Sequence, residues 1–218
     1  MKTEFEKRLF TSLVLISLSI FVIIKGSYFF IFFLGIILLI SIYEWSQMTR
    51  NLYQTKIFGI IFIFLSIYSA YLFREEYSYL FFLFAISISV LTDLGGYFFG
   101  KLFKGPKLTK VSPNKTYSGV IGGFLLSMIG GILIIKFINY SSMTINYLII
   151  FLICIFLISL ISQLGDLLIS YFKRKSKIKD TGKILPGHGG LLDRIDGIIF
   201  AVPFSYLLFH YIFSYLIK

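Results

Sequence analysis

Residues 145–169 read INYLIIFLICIFLISLISQLGDLLI, a run in which Asp166 is the only charged side chain. About 20 such residues, rising about 1.5 Å each along a helix, cross the hydrocarbon of a bilayer. The run is continuous rather than alternating, which predicts a helix and not a barrel strand. Six further apolar runs surround it: Leu9–Ile24, Tyr28–Trp45, Ile57–Phe73, Tyr77–Tyr97, Ser118–Ile138 and Gly197–Ile217. The whole chain agrees, since 57% of its 218 residues are apolar, 14% are charged and the mean hydropathy is +0.88. Soluble domains carry about 45–50% apolar and about 25% charged residues, so a soluble enzyme is excluded. Disorder is excluded as well, because Ile, Leu and Phe dominate. The expectation is an all-α, polytopic integral membrane protein with about seven transmembrane helices.

Basic residues orient such a chain, because Lys and Arg stay on the cytoplasmic side. With the N-terminus in the cytoplasm, 17 of the 21 Lys and Arg fall inside and four, Lys25, Arg74, Lys136 and Lys218, fall outside. The net charge of +11 is then mostly an insertion signal, and no nucleic acid is needed to explain it. Lys7-Arg8 before the first run resembles a signal peptide in charge order. No small-residue cleavage site follows, so a retained first span is expected. Cys154 is the one cysteine and cannot form an intrachain disulfide. The expected organisation is a set of N-terminal spans over 1–90 and a catalytic membrane region over 91–218. Two long polar loops, 98–117 and 171–196, then face the cytoplasm and are where chemistry belongs.

The ten acidic residues sort by depth. Glu4 and Glu6 lie in the N-terminal tail, Glu75 and Glu76 in an outer loop and Asp180 in the last inner loop. Five fall at the cytoplasmic ends of spans: Glu44, Asp93, Asp166, Asp193 and Asp196. Ionisable groups at such depths usually face a partner or a cavity. Asp193 and Asp196 are three positions apart and share a helical face, as do Gln163, Asp166 and Ser170. Carboxylates converging from two helices make a hard, oxygen-rich site suited to Mg²⁺, with room for a second cation and phosphate between the two. Zinc is disfavoured by one Cys and two His, and His210 reads as a satisfied intramembrane histidine.

The last inner loop adds three features to this acidity. Lys173-Arg174 at a helix end supplies cations for phosphates. Pro186-Gly187-His188-Gly189-Gly190 cannot be helix, and its glycines let backbone N–H groups approach an anion. A new helix then starts at Asp193-Arg194-Ile195-Asp196, with its positive dipole end close by. Metal carboxylates, cations and a glycine-rich turn together describe a nucleoside triphosphate site.

Residues 170–196 resemble the signature of the phosphatidate cytidylyltransferase (CDP-diacylglycerol synthase) family. The matching pattern is Ser170-x-Phe172-Lys173-Arg174, then Lys179-Asp180, then Pro186-Gly187-His188-Gly189-Gly190-Leu191-x-Asp193-Arg194-Ile195-Asp196. Gln163-Leu164-Gly165-Asp166, Asp93 to Tyr97, Ser112-Pro113-Asn114-Lys115-Thr116 and Gly119 to Gly123 are similar to its other blocks. Ser118 and Ile169 depart from the family pattern, and the chain is short for the family. The resemblance implies a reaction of CTP with phosphatidate of the inner leaflet that yields CDP-diacylglycerol and pyrophosphate, for phospholipid biosynthesis, with Mg²⁺.

Under that reading Asp166, Asp193 and Asp196 hold the metal, joined by Asp93. Lys173, Arg174, Lys179 and Arg194 hold phosphates beside Asp180, and Gly189 and Gly190 supply backbone donors. His188 bonds a phosphate or orients an Asp, while Ser112, Lys115 and Thr116 form a second phosphate loop. The expected location is the cell inner (cytoplasmic) membrane, and a homodimer is compatible with the sequence. Two alternatives stand beside it: a cytidylyltransferase acting on another lipid phosphate, and a cation-coupled transporter with Asp93 and Asp166 as relay groups. The transporter predicts mid-bilayer carboxylates and repeat symmetry, and the sequence has neither.

Overall fold

A computed structural model describes residues 2–109, 111–112, 114–137, 145–184 and 189–215. These residues form helices α1 (Lys2–Lys25), α2 (Ser27–Met48), α3 (Tyr53–Tyr77), α4 (Tyr79–Phe103), α5 (Tyr117–Phe137), α6 (Ile145–Lys175), α7 (Leu192–Ile195) and α8 (Ile198–Tyr215). Among the described residues the only extended pairing is one antiparallel bridge, Lys107 to Thr116. The all-α expectation therefore holds. Five helical stretches are long and apolar enough to cross a membrane: Ser27–Met48, Tyr53–Tyr77, Tyr79–Phe103, Tyr117–Phe137 and Leu148–Lys175. The chain is thus a multi-pass membrane protein. The runs expected as first and seventh spans are helical too, but their apolar stretches, Ser12–Lys25 and Ile198–Ile212, are shorter. The tails of two expected spans, at Ile138 and Ile217, lie outside the described residues.

Several helices run on past the apolar segment that announces them. α3 continues through Arg74, Glu75 and Glu76 to Tyr77, so these residues end a helix and do not form an outer loop. α4 and α6 likewise extend to Phe103 and Lys175. Apolarity stops where the bilayer would stop, whereas the hydrogen-bond ladder continues until a residue leaves helical geometry. At the end of α6 that residue is Lys177, with φ 57°. Ile178 N–H donates to Lys173 O at 3.0 Å and Lys177 N–H to Arg174 O at 3.0 Å. This pair of bonds is a Schellman motif with Lys177 in its left-handed position.

The chain divides into two compact units. The first contains residues 1–79 and 172–196. Its organiser is α2, which packs on α1, α3 and α7. Phe30, Leu34, Ser41, Glu44, Trp45 and Met48 are buried at helical spacing along one stripe. Trp45 Nε1 donates to Lys56 O at 3.2 Å, and the Trp45 ring meets Phe172 edge-on at 5.2 Å. Arg74 donates through Nε to Ile23 O at 3.2 Å, giving the C-terminal end of α1 a cation that suits its dipole.

The second unit contains residues 80–171 and 197–218. Its α4 and α5 touch through glycine. A β-carbon at Gly119 would lie 2.8 Å from Gly96 O, and one at Gly123 would lie 2.9 Å from Thr92 O. Small residues of this kind let membrane helices approach backbone to backbone. A buried hydroxyl seam joins α4 to α6: Ser89 Oγ lies 2.6 Å from Ser162 Oγ, and Thr92 Oγ1 lies 2.8 Å from Ser159 Oγ. Nearby, Phe84, Phe151 and Phe209 meet edge-on with ring centroids 6.2–6.5 Å apart.

Candidate active site

In the second unit the polar residues gather at the end of α6 and in the loop before α5. Leu108 N–H donates to Lys115 O at 2.8 Å, which folds the loop back on itself. Lys115 Nζ then stands 2.5 Å from Asp166 Oδ2, both side chains about a quarter exposed. Asp166 Oδ1 accepts from Ser170 Oγ at 3.3 Å, one helical turn later. Asp93 on α4 is exposed and within electrostatic reach of both Asp166 and Lys115. Thr116 is used differently from its expected place in a phosphate loop. Its Oγ1 accepts from Gly119 N–H at 3.1 Å, so it is the N-cap of α5. Ser112 N–H donates to Thr109 Oγ1 at 3.2 Å, and Pro113 lies outside the described residues.

In the first unit the basic end of α6 meets the turn that begins α7. Asp193 is nearly buried and holds three donors: Lys173 Nζ on Oδ1 at 2.8 Å, and the N–H groups of Thr181 at 2.8 Å and Gly190 at 3.1 Å on Oδ2. Burial alone would raise its pKa. The Lys173 hydrogen bond and charge, with the Thr181 and Gly190 N–H groups, outweigh burial and hold the carboxyl below the ordinary carboxylate value. Gly189 has φ 85°, and Gly190 already gives its N–H to Asp193. Asp196 is buried, whereas Arg174, Lys179, Asp180 and Arg194 are exposed. Arg174 Nη1 donates to Ile178 O at 3.4 Å. His188, with Leu185, Pro186 and Gly187, lies outside the described residues.

Within neither unit do three described His, Cys, Asp or Glu side chains gather closely enough to hold a metal ion by themselves. Mg²⁺ seldom requires that, since it is usually held by one or two carboxylates, water and substrate phosphate. Asp93 and Asp166, two carboxyl groups set against the single ammonium of Lys115, have the hard oxygen-donor chemistry such an ion needs. Asp193 has both oxygens engaged, so it takes a metal only if Lys173 gives way.

Sequence reasoning missed two residues. The sequence marks Glu44 only as an acid ending a span and does not single out Thr181. Glu44 is wholly buried and accepts from Thr181 Oγ1 and from the N–H groups of Leu191 and Leu192, each at 2.9 Å. A signal existed. Residues 40–48 contain no Lys or Arg, so Glu44 has no local cation and needs distant donors.

Comparison with known proteins matches residues 53–212 to the cytidylyltransferase family. The chain is similar to a protein named phosphatidate cytidylyltransferase from Staphylococcus haemolyticus (strain JCSC1435), 45% identical over 127 residues, which covers 58% of this chain and 47% of the relative. The namesake from Staphylococcus aureus (strain COL) is also 45% identical over the same shares. That from Brucella suis biovar 1 (strain 1330) is 43% identical over 128 residues, 58% of this chain and 44% of the relative. The match thus spans a little under half the length of these relatives.

Proposed function

The chain belongs to the cytidylyltransferase family, and from that premise we propose that it transfers CMP from CTP to phosphatidate, releasing CDP-diacylglycerol and pyrophosphate. What carries the proposal is that the family match takes in both acid–base clusters, Lys115 with Asp166 and Lys173 with Asp193. In this reading the chain crosses the cell inner membrane seven times with its N-terminus in the cytoplasm. CTP then arrives from the cytoplasm and phosphatidate from the inner leaflet.

The nucleophile is an oxygen of the phosphatidate monoester, and it attacks the α-phosphorus of CTP. As the new P–O bond forms, the bond from the α-phosphorus to the bridging oxygen breaks and pyrophosphate leaves. A phosphate monoester has its second pKa near about 6, so the attacking oxygen is already anionic at neutral pH. No strong general base is required. The obstacle is the repulsion between two polyanions, which cations must screen. Arg174 in the last turn of α6, Lys179 after it and Arg194 in α7, all exposed, meet the triphosphate, while Lys115 meets the lipid phosphate. The metal is assigned to Asp166 with Asp93, and to Asp193 with Asp196. Bound Mg²⁺ supplies positive charge against the triphosphate and the leaving pyrophosphate.

The test is an assay of labelled CTP with phosphatidate in detergent, with and without Mg²⁺. Labelled CDP-diacylglycerol formed only with Mg²⁺ is the expected product. Label entering a different lipid phosphate instead would change the substrate, and no labelled lipid at all would overturn the reading.

A further inference from the structure

Glu44 belongs to no motif of the chain and lies outside residues 53–212 that match the family. It nonetheless sits on the buried stripe of α2, with none of its surface exposed. No described Lys or Arg stands in ion-pair range of it. A buried carboxylate without a cation persists only where hydrogen-bond donors replace its water. Here three donors do so. Oε1 accepts from Leu191 N–H, and Oε2 accepts from Leu192 N–H and Thr181 Oγ1, all at 2.9 Å.

These donors share a location. Leu191 and Leu192 open the turn that carries Asp193, Arg194 and Asp196. Gly190, Leu191 and Leu192 present consecutive N–H groups, the first to Asp193 and the next two to Glu44. Thr181 links the two acids, giving its N–H to Asp193 and its hydroxyl to Glu44. The packing is tight: a β-carbon at Gly182 would lie 2.5 Å from Glu44 Oε1, and one at Gly190 would lie 2.6 Å from Oε2. Tight packing is one reason for glycine at 190 in addition to any approach by an anion.

We propose that Glu44 is a positioning residue for the transfer reaction: from α2 it clamps the backbone at Thr181, Leu191 and Leu192 and so sets the place of Asp193 and Asp196. The proposal rests on the cytidylyltransferase reading for its effect on turnover. Its effect on the turn is independent of that reading. A carboxylate suits the task because every partner is a donor. Gln at this position would set its NH₂ group against the N–H of Leu191 or of Leu192, whichever way the amide turned.

The experiment compares Glu44→Gln, Glu44→Asp and Thr181→Val with wild type in the 218-residue chain in detergent. It measures turnover of CTP with phosphatidate, the Mg²⁺ concentration for half-activation, and amide hydrogen exchange across the chain. Loss of a supporting partner of this kind costs about 10–100-fold in metal affinity or activity. Glu44→Gln is therefore expected to lower kcat and raise the half-activating Mg²⁺ by about that factor. KM for CTP should change less than about threefold, since no substrate contact is removed. Amides 190–192 should exchange faster while α4 and α5 stay protected. Glu44→Asp, which keeps the charge, should recover part of the loss. Thr181→Val removes one donor and covers the case in which Glu44→Gln does not accumulate folded; the same shifts, smaller, are expected. Wild-type Mg²⁺ response and exchange in a folded Glu44→Gln or Thr181→Val variant would overturn the clamp. So would a loss of folded protein with unchanged kcat and Mg²⁺ response per folded molecule. A wild-type chain inactive on CTP and phosphatidate would overturn the functional reading, and amide exchange would still decide the clamp.

Discussion

Lys115 Nζ lies 2.5 Å from Asp166 Oδ2, so a loop residue before α5 neutralises the carboxylate near the end of α6. Asp93 is in electrostatic reach as well, so two carboxyl groups face one ammonium. Asp166→Asn keeps the side-chain volume and removes the charge that would face Mg²⁺. Such charge stabilisation is worth several kcal/mol, and each 1.36 kcal/mol is a factor of ten. Roughly a thousandfold loss in turnover of CTP with phosphatidate is expected for Asp166→Asn. Asn at Glu75, in the last turn of α3, should leave the rate near wild type.

Asp193 links the site to acid stability. Its carboxyl titrates below its ordinary value, because Lys173 and two N–H groups outweigh burial. A depressed folded pKa contributes stability above the unfolded value of about 3.9, and that contribution is lost as pH falls through the folded pKa. Removing one partner of a buried pair costs about 3 kcal/mol or more. Thermal unfolding in detergent should show Asp193→Asn well below wild type at pH 7, with the gap closing below about pH 4. A gap independent of pH would mean that the carboxylate charge is not what holds the turn.

Lys177 closes the Schellman motif of α6 with φ 57°. An L-residue in that region costs roughly 1–2 kcal/mol that glycine avoids. Lys177→Gly should therefore raise stability by about 1 kcal/mol, read as a higher midpoint of thermal unfolding. A fall in the midpoint would show that the lysine side chain contributes more than the backbone costs.

Orientation is open to labelling. Once Cys154 is replaced, Cys introduced at Lys107 or Lys175, both exposed on polar segments, should resist an impermeant thiol reagent in intact cells. Lysed cells should label at both positions. Strong labelling from outside would reverse the topology.

Nucleotide choice is the fifth test. CTP or dCTP should support turnover and ATP should do so poorly, as expected for a member of the cytidylyltransferase family. Equal rates with ATP would point to a general nucleotidyl transfer.

By itself the sequence determined the helical, multi-pass class of the protein and the family it belongs to. An apolar run of about 20 residues is a local property, so the helices of 27–48, 53–77, 79–103, 117–137 and 148–175 were readable without any knowledge of packing. The spacing of Asp193 and Asp196, and of Gln163, Asp166 and Ser170, is equally local, as was the signature that led to the family. Helix ends were less legible at Glu75, Glu76 and Lys175, because hydropathy marks the bilayer while hydrogen bonding marks the helix.

Partnerships were decided by tertiary structure alone. Nothing in the order of residues ties Glu44 to Leu191 and Leu192, or Lys115 to Asp166. Each bond joins segments far apart in the chain, and it exists only once helix packing has fixed where both ends stand. The cap that Thr116 places on α5 and the bond from Gly190 to Asp193 are by contrast local, each spanning three positions. A buried donor or acceptor takes whichever partner is within about 3 Å, and that distance is set by the fold.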